Sequence, residues 1–382
     1  MPRSKGNRLR PGTPRALTLR SSEISPRKRS RRSGHRSILK VFFDPIYEQH
    51  ETGPGHPERA ARLEAFVAGL EAGGSSRAAF ELPTAADASL IAAVHPAGYV
   101  AAVERACRSL ASGQIGELPT GDTIVSNNSF DIALQAAGGA VAAAAAAHAV
   151  HPSLAVIRPP GHHAEPSRGM GFCVFNNVAI AAAWALQKHG NVLIADFDYH
   201  HGNGTQAWVE RAVAQGQKGL GFISTHAYPA YPGTGAFGES QVHEAGFVVD
   251  IPLPHSTDTD DFIAVWASLL PILTARIRPS TIIVSAGFDF LSGDPIAGLP
   301  IAPRAVDALC GLLGDVANRH DAGLALVLEG GYSLDNLQSS GSSLAYDFGK
   351  HASDVHVPNA AQPRDERLRQ MVAETTRWFA KG

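Results

Sequence analysis

The sequence predicts an α/β protein in three layers, with a mostly parallel central sheet between two sets of helices. Three observations predict it. Five short runs are almost wholly apolar, at 154–158, 192–196, 221–225, 281–285 and 324–328. Helical patterns separate most of them, as at 177–189, 260–276 and 303–319. Polar, chemically capable residues follow directly behind each run. Continuous apolar strands spaced by helices are the pattern of a parallel sheet covered on both faces.

The elements can be justified in chain order. Leu63, Phe66, Val67 and Leu70 stand at i, i+3, i+4 and i+7, one helix face, so a helix is expected over 58–70. Pro57 just ahead suits a helix start. The Ala-rich stretch 133–149 reads as a second helix. It is the longest apolar stretch, but Gln135, Gly138, Gly139 and His148 interrupt it, so it reads as a core helix and no membrane span is expected. No internal repeat is visible. With 382 residues, 44% of them apolar, the chain can bury a sizeable core, and one catalytic domain is expected over 38–380.

Charge is unevenly distributed. Residues 1–40 carry 13 Lys/Arg and one acid, Glu23, whereas the remainder carries 20 basic and 34 acidic residues. Residues 1–37 are rich in Arg, Ser, Pro and Gly, cannot bury enough apolar surface to offset ordering, and are expected to be disordered. A solvated extension is the favoured reading. A transit peptide, or an arm through which nucleic acid could bind, is an alternative. The three cysteines, Cys107, Cys173 and Cys310, form no framework and no C-x-x-C, which fits a reducing, cytoplasmic compartment. A thiolate metal site is thereby excluded, so any metal must be held by His and carboxylates.

The residues behind the strands are the informative part. The first run leads into Pro159-Pro-Gly-His-His163, the second ends in Asp196-x-Asp-x-His-His-Gly-Asn203, and the third in Ser224-Thr-His226. The fourth ends in Ala286-Gly-Phe-Asp289 and the fifth in Glu329-Gly-Gly-Tyr332. In an open parallel sheet these loops leave from one edge, where ligand sites form. Asp198 and His200 are two residues apart, so an extended strand end points both the same way. With Asp289 from another strand they make three N/O ligands and an open position, a catalytic zinc pattern. His162 and His163 can face the bound water as acid and base, one backed by Asp196 and the other by Asn203, which leaves its His less basic. Tyr332, after two glycines, can donate to an oxyanion. His226 reads as a supporting or core histidine and Cys173 as a small buried hydrophobe. Each feature alone is common; their joint occurrence at strand ends carries the reading.

In these residues the chain resembles the histone deacetylase family of the arginase–deacetylase fold. The resemblance runs in order over nearly all of 38–340: Gly55-His-Pro-Glu-Arg59, Arg158-Pro-Pro-Gly-His-His163, Gly171-Phe-Cys173 with Asn176-Asn177, the Asp196–Thr205 stretch, Pro232-Gly-Thr-Gly235, Ser285–Asp289 with Asp294-Pro295, and Glu329–Tyr332. The Gly-Pro-Gly-His-Pro-Glu-Arg stretch, Asn203 and Glu-Gly-Gly-Tyr look like class II members and their bacterial relatives, including acetylpolyamine amidohydrolases. The resemblance implies one zinc on Asp198, His200 and Asp289, with His162 and His163 as acid–base pair, Asp196 and Asn203 behind them, and Tyr332 polarising the acetyl carbonyl. It also implies substrate contact at Gly171, Phe172 and Tyr231, where Tyr231 replaces a common Phe. A structural potassium ion would use Asp196, Ser224 and the backbone carbonyls of Asp198, His200 and Thr225. A second potassium site is left open at the apparent insertion 210–219.

The expected reaction is hydrolysis of an N-acetyl amide to acetate and a free amine, with acetyl-lysine protein or peptide, acetylpolyamine, or a small acetylated metabolite as substrate. Ile296 stands where acetylpolyamine specialists carry a Glu. Glu117 and Asp122 are candidates to reach the channel mouth. Two rivals are weighed: an arginase-like ureohydrolase with two manganese ions, against which Phe288 and Phe290 flank Asp289 where a further ligand would be needed, and a non-catalytic acyl-group binder, whose signature would be a lost ligand or Tyr. Self-association is left open.

Overall fold

The computed structural model describes residues 39–148, 151–349 and 362–380. The basic stretch 1–37 lies outside the described residues. Ten strands are present among them: Lys40–Phe43 (β1), Ile115–Glu117 (β2), Ile124–Ser126 (β3), Ser153–Val156 (β4), Val192–Asp196 (β5), Leu220–Ala227 (β6), Gln241–Val242 (β7), Gly246–Leu253 (β8), Thr281–Ala286 (β9) and Gly323–Leu328 (β10). Eight form one sheet in the order β1-β4-β10-β9-β5-β6-β8-β7, all parallel except β7, which runs antiparallel to β8. β2 and β3 make a separate hairpin.

The order explains where a site can form. From β5 the chain moves outward to β6 and β8, then returns to lay β9 on the other side of β5 and β10 beyond it. That reversal opens a crevice at the carboxyl ends of β5, β9 and β10, the usual ligand position in such sheets. The central strands are buried along their full length, as their unbroken aliphatic sequences demand.

The helices form with small shifts from the expected bounds. Asn177–Lys188, Thr259–Ile277 and Arg304–His320 lie within about a residue of expectation. The Ala-rich helix is Ser129–Ala146, starting four residues early. It is long and apolar enough to cross a membrane by composition, yet it packs as a core helix against β1, β4, β10 and Asn177–Lys188. The helix expected over 58–70 is Ala61–Ala72. Leu63, Phe66, Val67 and Leu70 are at most 1% exposed, worth about 1.5–3 kcal/mol each. The correction lies at its start: Glu58 is not on the helix but buried beneath it, paired with Arg62 and Arg158. Tertiary ion pairing overrides the start signal that Pro57 gives.

Candidate active site

Four strand ends deliver the site. Beyond β4 the chain carries His162 and His163; β5 ends on Asp196 and leads into Asp198 and His200; β9 leads to Asp289; β10 leads to Tyr332. Asp198, His200 and Asp289 each present a ligand atom, all within 4.8 Å of one another. His200 Nδ1 lies 3.2 Å from Asp198 Oδ1 and 3.1 Å from Asp289 Oδ2. Backbone amides fix the carboxylates: Gly330 N–H donates to Asp198 Oδ2 (2.9 Å), and Tyr199 N–H to Asp289 Oδ1 (2.9 Å). A side chain at Gly287 or Gly330 would strike these carboxylates, which is why glycine stands at both.

These three residues fit a divalent cation. Asp289 Oδ2 is buried without a hydrogen-bond partner, a costly state for a carboxylate oxygen. Burial, then the charge of Asp198, pushes the Asp289 carboxyl up to about 6. A cation among the three would satisfy the orphaned oxygen and remove the repulsion. One imidazole and two carboxylates are a donor set suited to zinc.

The two histidines behind β4 lie with ring centroids 4.0 Å apart and planes tilted by 42°, but have different partners. His162 Nδ1 is 3.1 Å from Asp196 Oδ2, and His163 Nδ1 is 2.8 Å from Asn203 Oδ1. Their basicities diverge accordingly. For His162, burial disfavours the charge, but Asp198 and Asp196 outweigh it and raise the group to about 10. Burial holds His163 well below the ordinary value of 6.5, aided by the cationic His162 and His200 beside it. Glu329 lies behind the pair, its Oε2 accepting from Gly161 N–H (2.6 Å) and His162 N–H (3.2 Å). Burial drives Glu329 up to about 7 against the pull of His162.

Tyr332 faces this cluster from the β10 side. Asp294 Oδ2 accepts from the Tyr332 and Ser333 amides, at 2.7 and 3.0 Å. Arg62 braces the loop from beneath, donating from Nε to Gly331 O (2.6 Å) and from Nη2 to Glu329 O, with its guanidinium 5.1 Å from the Tyr332 ring centroid. Burial and the Asp289 charge keep the Tyr332 phenol protonated, so it can donate.

Phe172 and Tyr231 bracket the approach. Phe172 is 6.1 Å from Tyr332, and Tyr231 is 5.1 Å from His163, ring to ring. Phe172 adopts φ 66°, unusual for a non-glycine residue and the kind of strain found where a side chain must be aimed. Asp122 Oδ1 accepts from Gly171 N–H (2.7 Å), and burial, then the charge of Asp122, raises the Tyr231 phenol above its ordinary value. Asp122 therefore sits at the mouth, whereas Glu117 is exposed on β2.

Comparison with known proteins gives the family of the chain. Residues 56–346 match the histone deacetylase domain. The chain belongs to the histone deacetylase family. It is 36% identical over 306 residues to a probable deacetylase of Archaeoglobus fulgidus, covering 78% of this chain and 82% of that one. A histone deacetylase-like amidohydrolase of Pseudomonas aeruginosa is 35% identical over 324 residues, covering 76% and 81%. The chloroplastic histone deacetylase 14 of Arabidopsis thaliana is 35% identical over 340 residues, covering 83% and 78%. The crystal structure of the HDA15 HD domain superposes with a TM-score of 0.75 at 27% identity, covering 89% of this chain and 96% of that one. The fold is thus the arginase–deacetylase fold, and the family makes the chain a hydrolase of the deacetylase and amidohydrolase type.

Sequence reasoning named the converging residues but missed their supports. Arg62 and Glu58 were hidden in a helix pattern; their i, i+4 spacing, with Arg158 near the His pair, was the available signal. Glu165 had no signal beyond standing two residues past His163. Among the described residues a second cluster has metal-ligand composition: His201, His226 and Asp250, all buried. Its imidazole nitrogens are already engaged, His201 by Thr234 and Gln206, and His226 by Ser224 and Gly235.

Proposed function

We propose that the chain is a zinc-dependent deacetylase that hydrolyses the acetyl amide of acetyl-lysine in a protein or peptide, or of an acetylpolyamine. The observation that carries this reading is the convergence of Asp198, His200 and Asp289 within 4.8 Å beside a histidine pair and a protonated buried tyrosine. Zinc, held by those three residues, would supply an activated water and a Lewis acid for the acetyl carbonyl.

The protein's own groups do the rest. Phe172 and Tyr231 hold the extended chain of the substrate, and the Gly171 carbonyl accepts from its amide. His163, kept neutral, takes the proton of the attacking water at Nε2 and returns it to the leaving amine. His162, kept cationic by Asp196 and Asp198, stabilises negative charge as it develops. The Tyr332 hydroxyl donates to the carbonyl oxygen as it becomes an oxyanion. A potassium ion near Asp196, Ser224 and the carbonyls of Asp198, His200 and Thr225 is part of the proposal. Asp196 and Ser224 are paired in register on adjacent strands, which supports it.

The binuclear ureohydrolase reading is less well supported. Phe290 next to Asp289 is buried among Phe197 and Phe262, and the residue two positions on is the buried Leu291, so no carboxylate follows Asp289 at two residues' spacing. The binder reading requires a lost ligand or tyrosine, and all are present. Acetate release from a panel of acetyl-lysine peptides and acetylpolyamines, with and without added zinc, tests the proposal. Zinc-dependent release that collapses in Tyr332→Phe supports it; no release from any substrate refutes it.

A further inference from the structure

An asparagine is an ambiguous partner for a histidine. Its amide can turn either its oxygen or its nitrogen toward the ring, and the two choices demand opposite tautomers. With the oxygen facing Nδ1, that nitrogen must carry the proton and Nε2 is left free. With the nitrogen facing Nδ1, the proton is forced onto Nε2, the atom that must receive one. Nothing in the contact between His163 and Asn203 itself selects between them.

The selecting group lies one step further out. Asn203 Nδ2 donates to Glu165 Oε1 at 3.0 Å, with a weaker contact to Met170 Sδ at 3.5 Å. An ionised carboxylate can only accept, so it admits only the nitrogen end of the amide. Asn203 Oδ1 is thereby turned to His163 Nδ1, at 2.8 Å. Glu165 is itself held in place by a tight turn, its N–H donating to Arg168 O (2.9 Å) and its carbonyl accepting from Arg168 N–H (3.2 Å). Arg168 Nε in turn donates to Thr120 O at 2.9 Å.

We propose that Glu165 is a positioning residue that sets the amide polarity of Asn203 and, through it, the proton-accepting tautomer of His163. This rests on the reading of His163 as the group that moves the proton. Glu165 touches neither substrate nor the reacting atoms; it acts through Asn203.

The test is a four-protein cycle: wild type, Glu165→Gln, Asn203→Asp, and both together, each zinc-loaded and compared by kcat and KM. Glu165→Gln keeps size and shape but can also present a donor, so the polarity key is lost. It should lower kcat about three- to tenfold with KM nearly unchanged. In the Asn203→Asp background two carboxylates face each other where the amide stood. There Glu165→Gln supplies the missing donor and should raise kcat. A reversal of sign between the two backgrounds supports the proposal; the same sign in both overturns it, since a merely structural Glu165 would act alike in each. If wild type hydrolyses no acetylated amine, the functional reading fails, and nitrogen-15 NMR of the histidine rings still decides the inference. His163 protonated at Nδ1 in wild type and mixed in Glu165→Gln supports it; identical spectra overturn it.

Discussion

Adjacent histidines anchor two clusters of nearly the same composition, and only one is built for a cation. His200 joins Asp198 and Asp289; His201 joins His226 and Asp250. In the second cluster each imidazole nitrogen already has a hydrogen-bond partner outside the cluster, although both Asp250 oxygens, like Asp289 Oδ2, have none; Asp250 Oδ1 lies 3.2 Å from His201 Nε2. A metal there would have to displace an existing partner from each imidazole. In the first, His200 Nδ1 meets only the two carboxylates that would share the ion. The first cluster also reaches solvent through the His200 side chain, 13% exposed against 2% for His201. Composition and burial therefore do not identify a metal centre; an imidazole whose nitrogen meets only its co-ligands, and an open side, do.

The sharpest way to break this comparison is to remove a ligand from the first cluster. Asp289→Ala should abolish stoichiometric zinc and cut acetate release by about a thousandfold or more, as read by elemental analysis and kinetics on the same sample. Next in size is Tyr332→Phe, which removes one oxyanion donor beside that cluster. It should lower kcat by about 10²–10³ while leaving zinc content unchanged.

Stability against pH probes two histidines that burial holds below their ordinary value, His95 and His226. His95 accepts from Asn176 N–H at Nε2 (2.9 Å), and its Nδ1 faces Pro166 O (3.1 Å). Burial lowers it from 6.5 to about 4. Its folded value lies below its unfolded one, so the unfolded chain takes up the proton first. The stability it confers is full above about pH 6.5, falls as pH drops, and levels off below about 4, by roughly 3 kcal/mol. His226, lowered by burial and by His201, acts in the same direction. Urea midpoints between pH 7.5 and 4 should show this slope, reduced in His95→Gln. The smallest effect is expected from Asp250→Asn, which keeps the shape of the side chain beside His201 and removes only its charge. About 1 kcal/mol of stability should be lost, with zinc content and kcat unchanged.

Much of this was legible in the sequence for a physical reason. Strands buried on both faces must be unbroken aliphatic runs, and a site at their carboxyl edge must place its polar residues directly behind them. β8 escaped because Asp250 and Pro252 interrupt its run. The structure shows why both are tolerated: Asp250 faces His201, and Pro252 lies beyond the reach of β7, paired only with His226 on β6. Residues that act through others, Arg62 beneath Tyr332 and Glu165 behind Asn203, were not legible. Their roles depend on contacts across 269 and 38 positions of chain, and no local pattern encodes such distances.

Zinc content across the two clusters tests the central claim most directly. Wild type and Asp250→Asn, purified with zinc and dialysed, should each hold one zinc per chain, and Asp289→Ala none. Two zinc ions in wild type with one lost in Asp250→Asn, or full retention in Asp289→Ala, would contradict the account.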